Sequence, residues 1–176
     1  MYDKHPGGEA MTRRLLELSA LSPCRILDMG AGDGRSVRLL QRQGFDAVGI
    51  DLVPSSCPSV LEGDFLHCPF PDTCFDAVLT ECAFFVSGQP EQAFREAARL
   101  LKKGGLLLFA DVRFTDTASQ ARMLRAAGLS LYYREDLTHL WKEYYLSLLW
   151  EGTADCLCPS VPKGTCFYDL LLCERM

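Results

Sequence analysis

Four carboxylates stand where short, largely apolar runs stop: Asp28 after Arg25-Ile26-Leu27, Asp51 after Ala47-Val48-Gly49-Ile50, Asp64 after Val60-Leu61-Glu62-Gly63, and Glu81 after Phe75 to Thr80. Asp28 also opens the run Asp28-x-Gly30-x-Gly32-x-Gly34, with Ala31 between the first two glycines. Glycines let a chain turn tightly and let a ligand reach main-chain atoms, and a helix beginning directly after them adds partial positive charge. A dinucleotide fingerprint would place its third glycine one position later, where this chain has Arg35. An acid at position 28 sits poorly beside a pyrophosphate and suits a ligand that carries an ammonium. Asp51, about 20 residues past the glycines, can accept both hydroxyls of a ribose. Asp64 can take an adenine amino group, with Phe65 or Leu52 covering the ring face. Glu81 is followed by Cys82. Open α/β sheets bind ligands beyond the carboxyl ends of their strands, so four acids at four strand ends point to one site.

Short apolar runs alternate with helical patterns throughout, which predicts βαβ units around a parallel sheet. Strands are expected at 25–29, 47–51, 60–64, 75–81, 106–111, 129–133 and 167–173. Helices are expected at 12–21, 36–43, 91–101, 117–127 and 137–150. The architecture is a doubly wound, seven-stranded, mostly parallel sheet with the last strand antiparallel, in a single domain over residues 1–176, of which 1–21 form an N-terminal lid segment and helix. Only residues 52–59 join the second strand to the third. A parallel crossover ordinarily takes a dozen or more residues, so no full helix fits there and the third strand should be a weak edge.

Composition narrows the function. A chain of 176 residues, 48% of them hydrophobic, suits one globular domain. A net charge of −5 argues against a nucleic-acid partner, because phosphate neutralisation needs clustered Lys and Arg. No apolar run reaches the roughly 20 residues that span a bilayer. The amino-terminal residues have no signal-type apolar stretch, so a cytoplasmic protein is expected. Nine cysteines without a C-x-x-C pair read mainly as structural thiols.

Read together, these motifs resemble the class I S-adenosylmethionine-dependent methyltransferases, in particular the small group similar to the ubiquinone/menaquinone methyltransferases. Leu27-Asp28-Met29-Gly30-Ala31-Gly32-Asp33-Gly34 looks like the family's first motif, and Val48-Gly49-Ile50-Asp51 resembles its second. Glu62-Gly63-Asp64-Phe65 followed by Pro69-Phe70-Pro71-Asp72 is similar to its third, and Ala98 to Gly105 to its lead into the fifth strand. The short stretch after Asp51 departs from the pattern. The resemblance implies S-adenosylmethionine as cofactor, with Gly30 and Gly32 at the methionine part, Asp51 at the ribose, and Asp64 with Phe65 at the adenine. It implies methyl transfer and says almost nothing of the acceptor.

Absent motifs favour a small-molecule acceptor. No Asp/Asn-Pro-Pro-aromatic element follows Glu81, and no Pro-Cys dipeptide offers a C5-cytosine nucleophile. Tyr2 and His5, in a Gly-rich segment, are candidates for a lid. Cys82, Phe84 and Phe85 are candidates for the acceptor side, as are Asp111 and Arg113; His139, Trp141 and Lys142 are weaker ones. No catalytic residue is assigned and no metal site is expected. Glycine spacing weighs against a nicotinamide-dependent oxidoreductase. A non-catalytic cofactor-binding scaffold, and a thiol or metalloid methyltransferase using Cys57, Cys82, Cys156 or Cys158, stay open as alternatives.

Overall fold

The structure is a computed structural model that describes residues 5–53, 56–152 and 166–176. Along the chain run α1 (Gly8–Ser19), β1 (Arg25–Met29), α2 (Arg35–Arg42), β2 (Asp46–Asp51), β3 (Val60–Glu62), a 3-10 turn (Phe65–His67), β4 (Phe75–Glu81), α3 (Pro90–Leu100), β5 (Leu101–Arg113), α4 (Thr117–Ala126), β6 (Leu129–Asp136), α5 (Thr138–Trp150) and β7 (Phe167–Arg175). The strands form one sheet in the order β3-β2-β1-β4-β5-β7-β6. β7 is antiparallel to both β5 and β6, and the other pairings are parallel. This is the expected doubly wound, seven-stranded sheet.

The central strands are apolar on both faces, as a sheet covered by helices on both sides requires. Phe84, Phe94 and Phe109 build the core on the α3–α4 face, with ring centroids 5.3 Å apart for Phe84–Phe94 and 5.5 Å for Phe94–Phe109. On the opposite face Leu15, Val37, Trp141 and Tyr168 carry α1, α2 and α5. The register sets Asp28 beside Gly49 on one side and Leu79 on the other, which brings the acid ends of β1, β2 and β4 to one rim.

Element boundaries differ from the periodicity in ways that packing explains. α1 starts at Gly8 rather than Thr12, because Met11 is buried against the sheet and Gly7 supplies a left-handed turn (φ +80°) ahead of it. β3 stops at Glu62, since Asp64 turns to accept the Leu66 N–H and caps the 3-10 turn. β5 begins at Leu101, which pairs with Phe75 before the register jumps to Ala77↔Leu106. β3 is the short edge strand that its connection demanded.

Gly49 carries much of the local geometry. A Cβ there would lie 2.5 Å from the Ala31 Cβ and 2.9 Å from the Val37 Cγ2, so only glycine lets β2 approach the loop after β1 this closely. Gly49→Ala should lower the urea midpoint by the equivalent of about 1–3 kcal/mol, the range for overpacking a close contact, with little change in m-value.

Candidate functional site

The glycine loop is fastened to β2 by main-chain bonds. The Gly30 and Ala31 N–H groups both donate to the Ile50 carbonyl, at 2.9 and 3.1 Å. Gly32 N–H donates to Asp51 Oδ2 at 2.8 Å, and Val53 N–H donates to Asp51 Oδ1 at 2.9 Å. Asp51 therefore fixes both the loop and the turn beyond β2 while each oxygen keeps a lone pair for a further donor. Two glycines are demanded here for different reasons. Gly30 (φ +88°) faces Ala83, whose Cβ would be 2.4 Å from a Cβ at position 30. Gly32 (φ +53°) faces a cavity, and a Cβ there would meet nothing within 4 Å.

That cavity, of about 160 Å³, is lined by His5, Asp28, Gly30, Ala31, Gly32 and Glu81 among others, with Cys82 at one end. Glu81 Oε2 accepts from the hydroxyls of Thr12 (2.8 Å) and Ser36 (3.0 Å), with His5 Nε2 at 3.9 Å. Its other oxygen, Oε1, is buried with no partner among the described residues. Burial pushes the Glu81 carboxyl up. Burial, and then repulsion from Glu81 and Asp51, holds Asp28 well above the usual carboxylate range. Two buried carboxyls that hold their protons tightly, one of them with an orphaned oxygen, suit a cationic ligand group.

A second cavity, of about 400 Å³, shares Gly30 and Cys82 with the first. Asp51, Leu52, Asp64 and Phe65 line it, together with Ala83 and Val86. Asp64 uses one oxygen to cap the 3-10 turn and places the other 3.3 Å from His67 Nδ1. Phe65 stacks on Phe84 with centroids 5.8 Å apart, which holds its ring at the cavity wall. All nine sequence-predicted binding residues thus border the two joined cavities.

Other candidates are placed elsewhere. Phe84 and Phe85 belong to the aromatic core, because burying two rings against Phe94 and Phe109 outweighs exposing them at a cavity. Asp111 lies buried beside the site and lines neither cavity. Arg113 is buried against Asp169 and the Phe167 ring, so its charge is committed within the fold. Trp141 is buried on Tyr168, while His139 and Lys142 are exposed on α5. Cys57 is packed against Gly34. Tyr2, Cys156 and Cys158 lie outside the described residues. No cluster of three or more metal-ligating side chains occurs among the described residues. Sequence reasoning missed Thr12, Ser36 and Ala83. Ser36, just inside the helix after the glycines, was a readable signal; Thr12 reaches Glu81 across 69 residues and had none.

A mostly parallel sheet with a glycine loop after its first strand, and acids at successive strand ends, is the arrangement in which open α/β sheets bind ligands. A family profile described as a methyltransferase domain matches residues 27–109. A protein of Encephalitozoon cuniculi classed as a methyltransferase is 32% identical over 147 residues, covering 77% of this chain and 68% of that one. Malonyl-[acyl-carrier protein] O-methyltransferase 1 of Coxiella burnetii is 32% identical over 113 residues, or 59% of this chain and 40% of that one. The chain spans 40%, 28% and 60% of the lengths of three curated relatives that it matches. In structure it is similar to a Haemonchus contortus phosphoethanolamine N-methyltransferase 2 with S-adenosylhomocysteine, at TM-score 0.77 and 16% identity, covering 97% of this chain and 53% of that one. The chain belongs to the methyltransferase-domain family.

The buried acids make a pH prediction. Asp28 and Glu81 are raised by burial, and burial pushes Asp111 up to about 7. Each holds its proton more tightly folded than unfolded, so this stabilisation is complete below the unfolded carboxyl pKa and is lost as pH rises through the folded one. The ligand-free protein should melt at a falling temperature between about pH 5 and 8, and Glu81→Gln should flatten part of that slope; differential scanning calorimetry checks both.

Proposed function

We propose that this chain catalyses methyl transfer from S-adenosylmethionine to a small-molecule acceptor. The observation that carries the reading is the pair of cavities meeting at Gly30 and Cys82, one rimmed by the buried carboxyls Asp28 and Glu81, the other by Asp51, Asp64 and Phe65. The cofactor supplies a methyl group already activated on a sulfonium. Asp28 and Glu81 would face the ammonium of its methionine half, and burial raises the affinity of both for positive charge in the form of a proton. Asp51 would accept from the ribose hydroxyls. Leu52 and Phe65 would cover the adenine, with Asp64 at its amino group. Cys82, common to both cavities, would stand beside the sulfur.

Alignment of an acceptor with an activated methyl can carry much of the rate, so a general base is required only where the acceptor must lose a proton. The negative net charge and the lack of DNA-directed elements after β4 support a small acceptor over a nucleic acid. The thiols of Cys24, Cys68, Cys74, Cys82, Cys166 and Cys173 form no disulfide among the described residues, which suits a reducing compartment and supports a cytoplasmic location. No helix among the described residues is long and apolar enough to cross a membrane.

His5 lines the methionine-side cavity, and after Pro6 both Gly7 and Gly8 have left-handed backbones. This supports the amino-terminal segment as a lid that closes over the sulfonium and excludes water. Amides in the segment before α1 should gain hydrogen-exchange protection on addition of S-adenosylhomocysteine; unchanged fast exchange at saturation rules the lid out.

Isothermal calorimetry tests the cofactor assignment. The chain should bind S-adenosylhomocysteine and not NAD. Gly32→Val fills the cavity and should abolish binding; binding equal to the parent's rejects the site. Asp51→Ala should weaken binding by roughly 1.5–3 kcal/mol, the range for hydrogen bonds to a charged group. The same variant should bind a 2′,3′-dideoxy analogue about as well as the parent does, and an undiminished loss with that analogue removes the ribose role.

A further inference from the structure

The two cavities share Gly30 and Cys82, and Cys82 opens a compact turn after β4 that lines the larger cavity. Cys82 enters it with a left-handed backbone (φ +53°), a conformation that a non-glycine residue keeps only where its surroundings enforce it. Within the turn the Ser87 N–H donates to the Ala83 carbonyl at 3.0 Å, and the Ser87 hydroxyl donates to the Phe84 carbonyl at 2.6 Å. This is one turn of near-helical geometry, and its leading amides have no internal partner by construction. Cys82, Ala83, Val86 and Ser87 line the adenosine-side cavity, and Ala83 packs onto Gly30 of the glycine loop.

Those leading amides face Asp111 at the end of the neighbouring strand β5. Asp111 is fully buried, and its Oδ2 accepts the Phe85 N–H at 3.1 Å. The charged form is favoured first by this Phe85 amide, then by the Val112 amide on β5 itself, and after these by the Phe84 and Ala83 amides of the turn. One residue earlier, the Ala110 carbonyl accepts the Cys82 N–H at 2.9 Å, so the end of β5 grips the turn at two points. Oδ1 of Asp111 is buried with no partner among the described residues. A carboxylate that accepts the first amides of a helical turn acts as its cap, here supplied from another strand. Asp111 touches neither cavity, so its influence on the site must pass through this turn.

We propose that Asp111 is a positioning residue for the cofactor site: by capping the turn from Cys82 to Ser87 it holds in place the wall of the adenosine-side cavity and Cys82, which both cavities share. The inference rests on the reading that the two cavities hold those halves. The cap has an ionisation of its own, since burial lifts the Asp111 carboxyl to about 7 while the turn amides pull it back down. Losing the negative charge weakens the bonds to the amides, so the Phe85 amide reports the ionisation of the cap. The groups around Asp111 are Glu81 and Cys82 at the end of β4, Arg113 on β5 itself, and Tyr168 and Asp169 on β7, where Asp169 is the register partner of Asp111. Burial holds the Cys82 thiol and the Tyr168 hydroxyl well above their usual values, so both stay protonated through this window. The charge on Asp169 is matched by Arg113 and Arg134. Glu81 carries a raised carboxyl of its own beside Asp111, and a Glu81→Gln background separates it.

The test follows the Phe85 amide by nitrogen-15 NMR across about pH 5–9 in the full chain, with calorimetry of S-adenosylhomocysteine alongside. In the Glu81→Gln background the Phe85 amide shift should titrate in one step near pH 7. Adding Asp111→Asn should remove that step while the amide stays slow to exchange, because the side-chain amide oxygen still accepts. Asp111→Ala should speed exchange at Phe85 more than tenfold and weaken S-adenosylhomocysteine binding roughly tenfold without touching the ligand. The same titration persisting in Asp111→Asn overturns the proposal, as does unchanged exchange and affinity in Asp111→Ala. If Asp111→Ala does not fold, the Asp111→Asn comparison decides alone. If the unaltered chain does not bind S-adenosylhomocysteine, the cavity assignment fails, whereas the Phe85 titration still reports whether Asp111 caps the turn.

Discussion

Burying carboxyl groups at the ends of three adjacent strands is the constraint around which this molecule is arranged. Asp28, Glu81 and Asp111 end β1, β4 and β5, which are neighbours in the sheet, and all three are almost wholly removed from water. A carboxylate in that position costs several kcal/mol unless its charge is matched. Partial matches are present: two hydroxyls on Glu81 and the turn amides on Asp111. What they leave over is orphaned oxygen and a raised affinity for protons. Such residual instability at one rim is a usual mark of a functional site, where local stability is given up for binding.

The rest of the fold keeps that rim rigid. The phenylalanine core on the α3–α4 face anchors β4 and β5 directly beneath the turn that lines the larger cavity, and it fixes Phe65 at the cavity wall through Phe84. On the opposite face, α1 and α2 deliver Thr12 and Ser36 to the same carboxylate oxygen from positions far apart in the chain. The glycine loop is held by bonds to Ile50 and Asp51, which tie the cofactor-facing backbone to β2 and not to its own strand. A ligand lying across Gly30 and Cys82 would therefore contact elements from β1, β2, β3 and β4 at once, and binding would stiffen them together.

Much of this was open to reading before any coordinates. Alternating apolar runs and helical stripes located the seven strands and five α-helices of the described residues, because period-2 and period-3.6 patterns report burial directly. The ends of elements were the weaker part. Met11 extends α1 and Leu101 extends β5 through tertiary contacts that no local period encodes. Aromatic residues after β4 looked equally suited to a cavity wall or to a core; only packing against Phe94 and Phe109 decides that Phe84 and Phe85 are core while Cys82, Ala83 and Val86 face the cavities.

The amino-acid sequence by itself determined the sheet class, the glycine loop and the four acids that gather at one rim, because each is a local pattern: a short apolar run, a required positive φ, a polar residue at a strand end. Tertiary structure alone decided what those acids do to one another. Whether a carboxyl keeps its proton depends on how much water is excluded and which charges stand near, and both follow from strands brought together across tens of residues. Register set Asp28 within reach of Glu81 and Asp51, and sheet order put Asp111 under a turn belonging to a different strand. The same sequence pattern with a different neighbour order would keep the acids and lose their coupling, since charges interact through distance and dielectric, which a linear chain does not contain.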